Sequence, residues 1–315
     1  NDILEGGAGN DSLIGDAGND QLIGGKGTDM LVGGQGSDTY LFSRGDGADV
    51  IDNQDVSNGQ DVILFQDDIR PDQVSARRQG DDLLLRINGT DDSLRVLGYF
   101  LQDAGTAKAI DLVRFTESRT VWTIADIKQM VLQGTELADE LTGYDASADL
   151  LSGFAGDDLL RGALGNDTLV GGVGNDTLEG GRGDDTYVFT SGDGQDLIRD
   201  FAGEQNTIRF ESGLTAEQLL ARRVGADLVL SFVNSDDSVR IEQFFTSGTS
   251  PITSVVFADN QVLSAFDLKA MALLGTDADE QLTGYGSDDV LVGGKGNDTL
   301  NGAAGSDAYV FKAGD

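Results

Sequence analysis

The chain has 315 residues, of which 55 are acidic and 21 basic, giving a formal charge of −34 and a pI near 4.1. That sign excludes holding nucleic acid by phosphate neutralisation and attraction to an anionic membrane surface. Cysteine and histidine are both absent, which excludes disulfides, thiolate or imidazole zinc sites, Cys–His nucleophiles and a histidine general base.

Glycine is abundant at 45 residues and proline rare at 2, so repeated tight turns are expected. No apolar run reaches the roughly 18 residues of a membrane span. The start, Asn1-Asp2-Ile3-Leu4, is polar and the first methionine is Met30. No secretory signal is read there, and the chain is expected to be an internal piece of a longer protein.

From Gly6 the chain reads GGAGNDSLI, GDAGNDQLI, GGKGTDMLV and GGQGSDTYL, a period of nine. Asp11, Asp20, Asp29 and Asp38 share one phase, and Leu13, Leu22, Leu31 and Tyr40 another. Asp2 and Leu4 fall in the same phases, so the first array is assigned residues 1–44. A further glycine loop, Gly45-Asp46-Gly47-Ala48-Asp49, is displaced by two residues and makes Asp49 a candidate for a last loop.

Residues 45–133 read as a spacer module. DDLLLRI and SLRVLGYF flank Asn88-Gly89-Thr90-Asp91-Asp92, a strand–turn–strand signal. Thr123 then precedes Ile124, Ile127 and Val131 at helical spacing, a helix expected to stop at Gly134. The second array, 134–192, carries phased Asp139, Asp158, Asp167, Asp176 and Asp185. One of its units holds an extra residue, which puts Asp149 out of phase. Asp196 closes Gly192-Asp193-Gly194-Gln195-Asp196 as Asp49 closes its counterpart.

The second module, 193–274, matches the first: Arg77-Arg78 fall on Arg222-Arg223, and Tyr99-Phe100 on Phe244-Phe245. Ser264 takes the N-cap position of its helix, and Thr215 with Gln218 predicts another short helix. A third array, 275–315, has Glu280, Asp289, Asp298 and Asp307 in phase. The chain is a duplicated cassette of array plus module, followed by a third array.

Written G-G-x-G-x-D-x-U-x, with U large and apolar, the unit has a physical logic. Glycine permits a sharp turn at positive φ. The turn points carbonyls inward, and the aspartate adds a carboxylate. Oxygen-only donors on a loop suit a hard cation taking 6–8 oxygens at about 2.3–2.6 Å, calcium ahead of magnesium. The remaining x-U-x makes only a short strand with one inward side chain, so units must stack to bury a core. With two units per coil, each loop lies over the loop two units later. Their aspartates stand roughly 4.8 Å apart. A cation turns that repulsive column attractive.

These nonapeptides resemble those of the RTX family of secreted bacterial proteins, and the assignment to calcium rests on that resemblance. The modules resemble the haemolysin-type calcium-binding-related domain. The resemblance implies a mainly β chain: right-handed parallel β-roll segments, a calcium-loaded solenoid, alternating with two small β-rich modules that contain short helices. It implies ligation by the sixth-position carboxylate and by loop carbonyls. In the first array these are Asp2, Asp11 with Gly7 and Gly9, Asp20 with Gly18, Asp29 with Gly25 and Gly27, Asp38 with Gly34 and Gly36, and Asp49. In the second they are Asp149, Asp158 with Gly156, Asp167 with Gly165, Asp176 with Gly172 and Gly174, Asp185 with Gly181 and Gly183, and Asp196. In the third they are Asp289, Asp298 with Gly294 and Gly296, and Asp307 with Gly305. Sites shared between loops two apart give about eleven calcium ions. Glu280 replaces an aspartate and is expected to weaken its site; the unit around Asp139 lacks the glycine pair and is expected to be irregular.

The resemblance further implies export by a type I secretion machinery and folding outside the cell on extracellular calcium. The region is then the structural stalk of an adhesin or exoprotein. The alternative is the C-terminal folding and secretion region of a pore-forming toxin or an extracellular enzyme (protease, lipase, epimerase). No catalytic residue, no cofactor besides calcium and no membrane span is expected. The arginine pairs are read as solvated or paired with acids rather than as a patch for an acidic glycan. Trp122, Phe244 and Phe245 are read as core. Asp81-Asp82, Asp91-Asp92 and Asp236-Asp237 are read as solvated turns, not glycosidase pairs.

Overall fold

A computed structural model describes residues 1–54, 59–66, 68–105, 108–201, 204–246 and 250–311. The chain divides into two units, Asn1–Leu132 and Gln133–Asp315.

In the first unit the odd and even nonapeptides feed two separate sheets. One holds Ile3–Ala8, Gln21–Lys26, Thr39–Phe42, Val62–Phe65 and Leu112–Phe115 in parallel, closed by antiparallel Val121–Thr123. The other holds Ser12–Ile14, Met30–Val32, Ala48–Ile51 and Ser93–Val96 in parallel, then antiparallel Asp82–Ile87 and Val74–Gln79. The register within the array is one coil of 18 residues: Leu4 pairs with Leu22, Leu22 with Tyr40, and Leu13 with Leu31. Period nine with two units per coil gives that stacking.

The sheets do not stop where the repeats do. Tyr40 pairs with Ile63, Ile63 with Val113, and Val113 with Trp122. On the other face Leu31 leads to Ile51, Val96 and Leu83. All of these from Leu22 and Leu31 onward are buried. Each fully buried Leu, Ile or Val contributes about 1.5–3 kcal/mol, so the module's core continues the stack of U side chains.

The second unit repeats the plan. Gln133–Thr135, Leu150–Ala155, Thr168–Val173, Thr186–Phe189, Thr207–Phe210, Ser254–Phe257 and Val262–Ser264 form one sheet. Glu140–Thr142, Leu159–Leu164, Thr177–Arg182, Gln195–Ile198, Ser238–Ile241, Asp227–Phe232 and Leu219–Val224 form the other. The third array contributes two parallel pairs, Gln281–Thr283 with Thr299–Asn301 and Val290–Val292 with Ala308–Val310, again 18 residues apart. Each unit is a β-solenoid of stacked parallel coils, as expected, and the described residues include one short α-helix in each.

The two helices, Ile124–Met130 and Ala265–Met271, begin in capping boxes. Asp126 Oδ2 accepts from Thr123 N at 2.8 Å, and Asp267 Oδ2 accepts from Ser264 N at 2.8 Å. The first helix ends at Met130, not at Gly134. The Val131 amide closes it onto Ile127, and Gly134 already lies in the strand Gln133–Thr135 that opens the next array. The predicted helix at Thr215 is a turn, with Gln218 N donating to Thr215 O at 3.1 Å before the strand begins at Leu219. Trp122 and Phe244 are buried, as read, whereas Phe245 is only half-buried; Tyr99 and Phe100 are buried as well.

Candidate metal sites in the stacked loops

Each loop between strands stacks on the loop one coil away, and the phased carboxylates form two columns within each unit. Asp2 N donates to Asp20 Oδ1 at 2.6 Å, Asp11 N to Asp29 Oδ1 at 2.7 Å and Asp20 N to Asp38 Oδ1 at 2.9 Å. In the second unit Asp149 N reaches Asp167 Oδ1, Asp158 N reaches Asp176 Oδ1, and Asp167 N reaches Asp185 Oδ1, each at 2.8 Å. Asp289 N donates to Asp307 Oδ1 at 3.1 Å. One oxygen of each carboxylate is therefore used within its column.

The other oxygen decides the chemistry. Oδ2 of Asp11, Asp20, Asp29, Asp158, Asp167, Asp176 and Asp185 is buried with no hydrogen-bond partner. A buried carboxylate oxygen without a partner carries a large desolvation cost. Seven of them at one repeated position mark a place built for a cation. Among the described residues no three Asp or Glu side chains are arranged to hold an ion by themselves, so any ion there takes most of its oxygens from the backbone. Hard-cation chemistry on loop carbonyls fits that donor set.

The predicted loop glycines all have positive φ, from Gly7 to Gly305. Close approach gives a second reason for glycine at two positions. A Cβ on Gly27 (φ +146°) would lie 1.8 Å from the carbonyl oxygen of Gly9, one coil below. A Cβ on Gly24, which has ordinary φ, would lie 2.5 Å from Asp29 Oδ2 and fill the space beside the unpartnered oxygen. At four loops without the second-position glycine the backbone keeps the same turn: Asp16, Phe154, Ala163 and Ala303 have φ of 63°, 74°, 81° and 67°. Non-glycine residues held there are strained.

Burial, then the neighbouring acids, raises several of these groups above the usual carboxylate range. Asp49, Asp167 and Asp196 are pushed up to about 7 and Asp176 to about 6, with Asp158 and Asp185 also raised. The backbone amides donated to Oδ1 act in the opposite direction but do not cancel burial.

Several predicted residues fall where sequence placed them, and others need comment. Asp49 and Asp196 do close one column of each unit, accepting from Asp29 N at 2.9 Å and Asp176 N at 3.0 Å. The extra residue near Asp149 is absorbed in one coil, where Asp139 N reaches Asp158 Oδ1 across 19 residues, and Asp149 is back in phase with Asp167. Yet Asp149 and Asp289 have their second oxygen committed, accepting from Tyr144 N at 2.6 Å and Tyr285 N at 2.5 Å. Asp139 is likewise closed by Thr135 N at 2.6 Å. A residue other than glycine at the second position, without positive φ, accompanies each of these three closures.

The continuation of the other column was not legible as a repeat: Asp38 N donates to Asp61 Oδ1 at 2.9 Å, and Asp185 N to Asn206 Oδ1 at 2.8 Å. Its sign in the first unit is the echo of Gly36-Ser37-Asp38 in Gly59-Gln60-Asp61. Sequence reading also missed the hairpin acids. Asp92 accepts from Gly45 N and Gly47 N at 2.9 and 3.1 Å, and Asp237 accepts from Gly192 N and Gly194 N at 3.0 and 3.2 Å. These are not solvated turns; they fasten the last glycine loop to the module. Asp82 is bound to Arg95 and Asp227 to Arg240.

Parallel coils with a repeated buried oxygen site define a calcium-binding repeat protein. Comparison with known families agrees. The RTX calcium-binding nonapeptide repeat matches residues 5–40, 133–169, 152–187, 162–198 and 274–309. The haemolysin-type calcium binding protein related domain matches 82–126 and 227–266. The chain belongs to the RTX repeat proteins and carries two of these related domains. It is 34% identical over 115 residues to the iron-regulated protein FrpA of Neisseria meningitidis serogroup C, an alignment spanning 36% of this chain and 10% of that protein. The extracellular lipase LipA of Serratia marcescens is similar at 21% identity and TM-score 0.31, over 79% of this chain and 40% of the lipase. The AlgE6R3 subunit of the Azotobacter vinelandii mannuronan C5-epimerase is similar at 29% identity and TM-score 0.30, over 38% of this chain and 80% of that subunit.

Proposed function

We propose that this region is a calcium-folded structural stalk of a secreted protein, ordered by extracellular calcium after export through a type I machinery. The ions lie between loops one coil apart, held by the loop carbonyls and the phased aspartates whose second oxygen is open. They are fewer than the about eleven that the period alone gives, because Asp139, Asp149 and Asp289 are closed by backbone amides. The observation that carries the reading is the repeated buried carboxylate oxygen with no partner. Left bare, these charges oppose folding; a divalent ion removes the penalty and makes folding conditional on calcium. The cassette of array and module gives the stalk its repeat. The acids that imitate a hydrolase pair, Asp82 and Asp92, are committed to Arg95 and to loop amides.

Extracellular-type sites have dissociation constants of about 10⁻⁴ to 10⁻³ M, far above the cytosolic range. Limited proteolysis at about 10⁻⁷ M and about 10⁻² M calcium tests the reading, two concentrations that bracket those constants. Rapid cleavage throughout the arrays at the lower concentration and resistance at the higher support it. Equal resistance at both removes the calcium switch.

A further inference from the structure

We propose that Arg222 is the built-in cation of the third array's first loop, where it takes the place that calcium takes in the interior loops. The proposal rests on the calcium reading of those loops. Glu280 stands at the phased position and is in register, its N–H donating to Asp298 Oδ1 at 2.9 Å. Its carboxylate is not left open like those of the interior loops. Oε2 accepts from Thr276 N at 2.7 Å, Oε1 accepts from Thr276 Oγ1, and Arg222 Nη2 lies 3.3 Å from Oε1. The Glu280 side chain is only 12% exposed, so it meets the arginine with little water between.

The adjacent arginine completes the grip. Arg223 Nη1 donates to the carbonyls of Thr283 and Gly284 at 3.3 Å each. Its guanidinium lies 5.0 Å from the Phe245 ring and 5.7 Å from the Tyr285 ring, and those two rings stack at 5.6 Å. Tyr285 OH in turn donates to Lys269 O at 3.0 Å. Both arginines line a cleft of about 490 Å³ between the strand Leu219–Val224 and residues 279–283. Loop carbonyls and a phased carboxylate are the groups that would face an ion. Here they face two guanidiniums, which stay charged at any working pH and present several donors in a fixed plane.

The consequence is a division of labour. Stacked repeats are stabilised chiefly by their neighbours, and the first coil of an array has a neighbour on one side only. The module supplies the missing side to the third array through Arg222, Arg223 and Phe245. That coil is thereby ordered before calcium arrives and templates the coil that follows.

Hydrogen exchange read by mass spectrometry on the full chain, together with calcium counting by equilibrium dialysis, tests this. In chelator, residues 275–285 exchange more slowly than residues 165–183. Arg222→Met raises the calcium midpoint at which residues 275–301 gain protection by about threefold, the order expected for an ion pair half open to water, and leaves residues 150–198 unchanged. Arg222→Lys recovers part of the shift. Glu280→Gln leaves the calcium count unchanged, whereas Asp176→Asn lowers it. Loss of an ion in Glu280→Gln, or no midpoint shift in Arg222→Met, overturns the arginine's role. An unchanged count in Asp176→Asn instead overturns the loop reading on which it stands.

Discussion

Replacing Asp176 with asparagine separates the charge of a stacked carboxylate from its shape. Asp176 Oδ1 accepts from Asp158 N at 2.8 Å, a bond that an asparagine oxygen can keep, while Oδ2 is buried without a partner. With calcium bound, the variant loses one charged contact. That costs about 2 kcal/mol, or about thirtyfold in the affinity of the site. Without calcium the sign reverses. Burial raises the Asp176 pKa to about 6, so at pH 7 the wild-type group is held charged against its surroundings. Relief of that charge is worth about 1 kcal/mol after allowance for solvent screening. Urea melts followed by circular dichroism in chelator and in millimolar calcium measure both numbers. The variant is expected to be more stable in chelator and less stable in calcium. No change in either condition would refute this, because the carboxylate would then serve only as a hydrogen-bond acceptor, which asparagine preserves.

Gly27→Ala places a methyl group 1.8 Å from the Gly9 carbonyl at φ +146°. It is expected to cost over ~3 kcal/mol and to abolish the calcium-induced protection of residues 1–44 in hydrogen exchange. Tyr187→Phe removes a buried hydroxyl that accepts from Gly180 N at 2.9 Å and donates to Asp200. It leaves both groups short of a partner and lowers the calcium-bound stability by about 2 kcal/mol, read by thermal melting. The pH dependence has opposite signs with and without metal. Asp49, Asp167 and Asp196 have folded pKa values raised to about 7, so the protonated form favours the fold. Calcium-free stability is therefore highest near pH 4 and falls as pH rises through about 7. Calcium must displace those protons, so its affinity rises over the same interval, and titrations at pH 5 and pH 8 check both slopes.

Much of this architecture is legible from the period. Aspartate at one phase and a large apolar residue two positions later, taken with the two units per coil of the repeat family, give coils of 18 residues, and Leu13 on Leu31 and Asp20 on Asp38 follow. The glycine loops at 45–49 and 192–196 revealed Asp49 and Asp196 because they keep the G-x-G-x-D spacing. What escaped depends on contacts that no period encodes. The carboxylate and amide beyond each array exchange places between the two units. Asn53 Nδ2 donates to Asp61 Oδ2 at 2.8 Å in the first, and Asn206 Nδ2 donates to Asp200 Oδ2 at 2.6 Å in the second. Tyr40 and Tyr187, which replace the expected leucine, each bring a hydroxyl to this pair. The residue before the phased acid also has a function the pattern leaves unspecified: Asn10 Oδ1 accepts from Thr28 N and Asn19 Oδ1 from Ser37 N, both at 3.0 Å. Each of these depends on a pairing made only when coils stack.

Far-UV circular dichroism of the whole chain, begun in chelator and titrated with calcium and separately with magnesium, tests the central claim most directly. Metal binding and coil formation are one event if β-structure is small in chelator, grows cooperatively towards millimolar calcium, and responds weakly to magnesium. Full β-structure in chelator, unaltered by either ion, would contradict it.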